Sequence, residues 1–171
     1  MSQLHQMQIT FAPEQDRLLF RLTTGGRQIQ EFRLWLTRRY VRILWQALLN
    51  MLKSKQPEQF KQEPSKTAAL AVEHQQSVAK ADFQTPYQGG TVFPLGDEPI
   101  LVSKVALKQA PNGQQILCLH PTRGQGLEFN LDQKALHPLC RLLADASNKA
   151  DWGLNLDFAQ ASELIRQRGL N

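Results

Sequence analysis

The sequence predicts an α+β protein made of two tandem βββα units, with antiparallel meanders, helices packed on one face, and a short C-terminal helix. Three observations carry this prediction. Segments of alternating apolar residues come in two groups of three, and each group runs into a stretch with helical spacing. An offset of 97 residues also carries Phe20 onto Leu117, Leu22 onto Leu119, Phe32 onto Phe129 and Leu34 onto Leu131, laying "EFRL" over "EFNL" with inward and outward parity kept.

In the first unit "MQITFA" alternates, "PEQD" is a turn, and "RLLFRL" puts Leu18, Phe20 and Leu22 on one face. "TTGGR" breaks the chain, and "EFRLWL" presents Phe32, Leu34 and Leu36 inward. Thr37 then caps a helix over about 38–53. Arg39, Arg42, Gln46, Asn50 and Lys53 form its narrow polar stripe, and apolar residues fill the rest, a wider arc than one sheet requires. The spacing therefore predicts cover on two sides, from another helix of the chain or from a second subunit.

After Lys53 the chain turns rich in Gln, Lys, Ala and Pro, which reads as an exposed linker. An Ala-rich run over about 65–82 favours a helix whose thin apolar face is Leu70, Val72 and Val78. In the second unit "LVSKVALKQ" alternates, "APNG" turns, "QQILCLH" alternates, "PTRGQG" breaks, and "LEFNL" leads to Asp132. The regular part of the next helix is expected from Pro138 to about 151, with Leu136, Leu139, Cys140, Leu143 and Ala146 inward. "DFAQ" is a capping box, Asp157 with Gln160, opening a short helix that Gly169 ends. The implied divisions are 1–53, 54–90 and 91–171, the outer two packing as one globular body. The first strands need an offset of 96 and the helix caps one of 95, so the duplication carries small gaps. This order of elements resembles that of PUR and Whirly nucleic-acid-binding repeats, which end in a helix but have an additional strand.

The 171 residues are 42% hydrophobic, enough for a real core. No run approaches the roughly 20 apolar residues of a transmembrane helix, and "MSQLHQMQITF" lacks the apolar run of a secretory signal, so a cytoplasmic protein without membrane contact is expected. Cys118 and Cys140 fall at apolar positions outside any C-x-x-C pattern and read as buried thiols. The net charge of +5 permits a polyanionic partner without requiring one.

No G-x-S-x-G, H-E-x-x-H, Walker loop or G-x-G-x-x-G occurs, and His5, His74, His120 and His137 form no ligand pair at metal spacing. Neither a catalytic residue, a metal nor a cofactor is expected. Two function classes fit better. The first is a non-enzymatic interaction or adaptor module working through protein contacts, with Tyr40, Trp45, Leu49 and Leu52 of the apolar helix as an interface, including one between two copies. The alternative is a single-stranded RNA- or DNA-binding module. Arg17, Arg21 and Arg33 flank Trp35 on the outward sheet face, with Arg38, Arg39 and Arg42 at the helix start. Bases stack on such an aromatic while guanidinium groups meet phosphates. Arg27 in "TTGGR" and Arg123 in "PTRGQG" are weaker anion-binding candidates, because glycine loops are often turn chemistry alone.

Overall fold

The computed structural model describes residues 3–54, 65–156 and 158. Strands β1 (Leu4–Ala12), β2 (Arg17–Thr24) and β3 (Gln30–Leu36) form the expected antiparallel meander, followed by helix α1 (Arg38–Ser54). Helix α2 (Ser65–Lys80) comes next, then a strap that ends in β4 (Ile100–Leu101). Strands β5 (Lys104–Gln109), β6 (Gln115–His120) and β7 (Leu127–Asn130) form a second antiparallel meander leading to helix α3 (Gln133–Ala150). The protein is thus a mixed α+β fold with sheets of four and three strands and, among the described residues, three helices.

The boundaries follow local chemistry. Thr37 caps α1, its hydroxyl accepting from the Tyr40 amide at 3.4 Å. Asp132 caps α3 through the Ala135 amide at 2.9 Å, so that helix begins at Gln133 and carries Pro138 inside it, earlier than the expected start. Asp151, in the left-handed conformation, ends it. Beyond Trp152, Leu154 and Leu156 pack against the core and Phe158 is helical and buried; Asp157, Gln160 and Gly169 lie outside the described residues.

The pairing between strands corrects two readings of the sequence. "LVSKVALKQ" is not one strand, because Ile100 and Leu101 pair in parallel with Leu34 and Trp35 before the chain crosses to the second sheet at Lys104. In addition, Phe20 pairs with Leu34, whereas Leu117 pairs with Phe129. If Leu117 takes the place of Phe20, Phe129 takes that of Leu34, so the alignment of "EFRL" on "EFNL" is two residues out. Hydrogen-bond register decides which residues face one another, and short identities between strands do not.

One apolar cluster joins both meanders. Leu18, Phe20, Leu22, Leu34 and Leu36 of the first sheet share it with Leu117, Leu119 and Phe129 of the second. Helix α1 lies between them, touching β3, β5, α2 and α3, which accounts for its wide apolar arc. Far along the chain, Trp152 packs edge-on against Phe11 and donates its indole N–H to Asp16 at 3.0 Å, fastening the end of α3 to the β1–β2 turn.

Candidate functional site

The outward face of the first sheet, proposed from sequence as a basic and aromatic platform, is covered by the chain itself. Glu31 lies at its centre and is 1% exposed. Its carboxylate accepts from Arg21 Nε at 2.7 Å, from Arg33 Nε at 3.0 Å and from the Gly90 amide at 2.8 Å. Burial alone would raise its pKa, but the two guanidinium hydrogen bonds, the Gly90 amide and the nearby charge of Arg21 more than offset that and hold it below the ordinary carboxylate value. Tyr87 stacks under the Arg21 guanidinium at 4.7 Å, and Phe93 under that of Arg33 at 4.8 Å. Arg33 also donates to the Asp97 carbonyl.

The strap that does this is held by backbone bonds. Thr91 and Val92 donate to the Ile29 carbonyl, Glu31 donates to Val92, and Val102 donates to Trp35. The approach is close: a Cβ on Gly90 would come within 2.7 Å of the Ile29 oxygen and 2.8 Å of the Glu31 amide nitrogen, so only glycine fits without a shift. Trp35 is half-buried, paired with Leu19 on one side and Leu101 on the other. Arg21, Arg33 and Trp35 are therefore structural on this face, a correction to the platform reading. The acid that neutralises the arginines was in plain sight at Glu31, but alternation assigns it to an exposed face, and only the strap buries it.

The apolar helix surface is likewise occupied. Trp45, Leu49 and Leu52 are at most 5% exposed within the single chain, and Tyr40 is half-buried with its hydroxyl donating to the Ser103 carbonyl. Trp45 stacks on Phe158 with ring centroids 5.6 Å apart. These four residues offer no free apolar face to a second copy. Of the two readings of α1, cover from elsewhere in the chain is the one this packing follows.

Arg17, Arg38, Arg39 and Arg42 have a different setting. Arg17 is half-buried and the other three are exposed, and among the described residues none of the four has an acidic partner. Register places Arg17, which precedes the Leu18–Leu36 pair, at the same end of the sheet as Arg38. Arg27 and Arg123 are not brought together. Arg27 follows the β2 end of the hairpin, whereas Arg123 lines a shallow groove with Ser103 and Leu101, beside the opposite end of β3.

A further feature, the outer edge of the first sheet, was not singled out from sequence. Strand β1 is the edge of the four-stranded sheet, paired only with β2. Its nine residues, "LHQMQITFA", include no Asp, Glu, Lys, Arg or proline, the devices that usually protect an edge. Beside it runs a groove of about 580 Å³ walled by the strap at Ala81–Tyr87 and by Pro138 and Leu142 of α3. That groove shares Gln3, Leu4, Asp132 and Ala135 with a second, of about 540 Å³, which reaches β7, an edge strand of the second sheet. On the far side of the second sheet Cys118, His120 and Glu128 form a compact polar group. Compared with known protein families, curated proteins and solved structures, the chain matches none.

Proposed function

We propose that the chain is a non-enzymatic interaction module that takes an extended segment of a partner polypeptide along the edge of β1. The observation that carries this is the pairing of an uncharged, proline-free, nine-residue edge strand with a groove running alongside it. Alternate backbone N–H and C=O groups of β1 face away from β2, and a strand laid in the groove satisfies them while its side chains meet the wall of α3. The same reading takes the two βββα halves as a duplicated unit, supported by their common order and by the capping residues Thr37 and Asp132.

Selection of displayed random peptides on the purified chain tests the reading. Binders should perturb the amides of Leu4–Ala12 in a two-dimensional NMR map and slow their exchange. Thr10→Lys, at an exposed position of the strand, should weaken them about tenfold by placing a charge on the edge. No binders, or binders that map elsewhere, would sink it.

A second reading rests on Arg17, Arg38, Arg39 and Arg42, four cations near one end of the first sheet that have no acidic partner among the described residues. Nucleic acid bound there would lose affinity steeply with added salt, through counterion release. Single-stranded oligonucleotides that fail to bind at low ionic strength remove this second reading and leave the first untouched.

A further inference from the structure

We propose that Cys118, His120 and Glu128 form a binding site for a divalent transition-metal ion of the zinc class, on the outer face of the second sheet. The placement comes from sheet geometry. Cys118 and His120 are two residues apart on β6 and so share a face, and Glu128 of β7 is the residue directly opposite Cys118. One ligand atom from each lies within 4.8 Å of the others. His120 Nε2 and Glu128 Oε1 are 3.3 Å apart. That is the edge of a tetrahedron whose metal–nitrogen and metal–oxygen bonds are each about 2.0–2.1 Å.

Two neighbours shape the site. Gly126 has no Cβ where one would overlap the His120 ring nitrogen Nδ1 and the Leu119 carbonyl, so glycine at this position lets the imidazole lie as it does. Opposite Cys118, which is buried, stands Ala106 on β5, a small side chain beside the sulfur. The ligand set is one thiol, one imidazole and one carboxylate. This suits a borderline ion such as Zn²⁺ or Co²⁺ and not Ca²⁺ or Mg²⁺, which take oxygen ligands. Three protein ligands leave a fourth position open to water.

A cation already holds the carboxylate. Lys108 Nζ lies 2.7 Å from the same Glu128 oxygen, and that lysine side chain is 58% exposed on a flexible stem. A cysteine that ligates a metal does so as the thiolate, so the Cys118 thiol gives up its proton on binding. Binding is then an exchange. The metal ion bonds to sulfur, nitrogen and oxygen, the thiol proton leaves to solvent, and Lys108 swings outward still protonated. Charge balances with one proton released per ion, so affinity should rise with pH.

In the sequence these residues form neither a C-x-x-C pattern nor a histidine pair at metal spacing. On a strand the relevant spacing is two residues, and Glu128 joins only through register.

The test is titration of the full-length, chelator-treated protein with Co²⁺. A thiolate-to-cobalt charge-transfer band should grow to one equivalent and bleach when Zn²⁺ is added. Calorimetry in buffers of different ionisation enthalpy should report about one proton released. Cys118→Ala should abolish the band, and Glu128→Gln should weaken binding about tenfold or more. Lys108→Met, which removes the competing cation and leaves all three ligands, should tighten it about tenfold. Absence of stoichiometric binding, a band that survives Cys118→Ala, or an affinity that Lys108→Met leaves unchanged overturns the proposal.

Discussion

At Glu31 a buried carboxylate joins two guanidinium groups to the backbone of a segment some sixty residues away in sequence, through Gly90. Arg21 and Arg33 are 24% and 28% exposed, so water still reaches the two cations when the acid is removed. Glu31→Gln should therefore destabilise the protein by about 3 kcal/mol, the lower end of the cost of breaking a buried pair. Urea unfolding at neutral pH measures this, and a loss below about 1 kcal/mol would show that the strap does not depend on the acid. The sign of the pH effect follows from the lowered pKa. The carboxylate's contribution is complete above the pKa of an unfolded glutamate and disappears as the pH falls through the folded value. The Glu31→Gln protein should lack that part of the acid dependence. Residue types alone did not reveal this centre, since Glu31 alternates onto a face that looks exposed until the strap crosses it.

Among the helices, α2 has the thinnest apolar face, as its composition predicted: Leu70 is buried, Val72 is 53% exposed, and His74 meets His137 and Phe158. His74 Nδ1 and His137 Nδ1 are 3.0 Å apart, so one ring carries its proton on Nδ1 and donates to the bare Nδ1 of the other. A second proton would set N–H against N–H. Burial, with the charge of His74 adding to it, lowers the pKa of His137 to about 4, and burial with Arg141 lowers that of His74. A depressed histidine pKa means that the unfolded chain binds protons the folded chain refuses. Stability should therefore fall as the pH drops from about 6.5 toward 4. His137→Phe, of similar volume, should flatten this slope between pH 7 and 5, as read from melting temperatures across that range. An unchanged slope would place the pH dependence elsewhere. The sequence placed His74 in an expected helix and His137 just ahead of the next one, but held no sign that the two rings meet.

At the scale of the whole molecule, contacts cross all three divisions, 1–53, 54–90 and 91–171. Residues 87–102 complete the first sheet, Trp152 closes onto Asp16, and α1 fills the space between the sheets. The apolar face of α1 has no cover within its own meander beyond one sheet, so neither half should hold its core alone. Fragments 1–80 and 91–171 expressed separately should show no cooperative melting, while the full chain should unfold in a single transition. A fragment that melts cooperatively by itself would show that the halves are independent domains. Among the described residues no helix is long and apolar enough to cross a membrane.

Strand and helix types, the caps at Thr37 and Asp132, the turns, the broad apolar arc of α1 and the buried cysteines were determined by the sequence, because each depends on periodicity or local hydrogen bonding. Partnership was decided only by tertiary structure: Glu31 with Arg21, Arg33 and Gly90, Trp45 with Phe158, His74 with His137, Glu128 with Cys118 and His120. The physical reason is the range of the forces involved. Periodicity says which side of an element is apolar, whereas register, strap and crossing point determine which distant side chain is set against it.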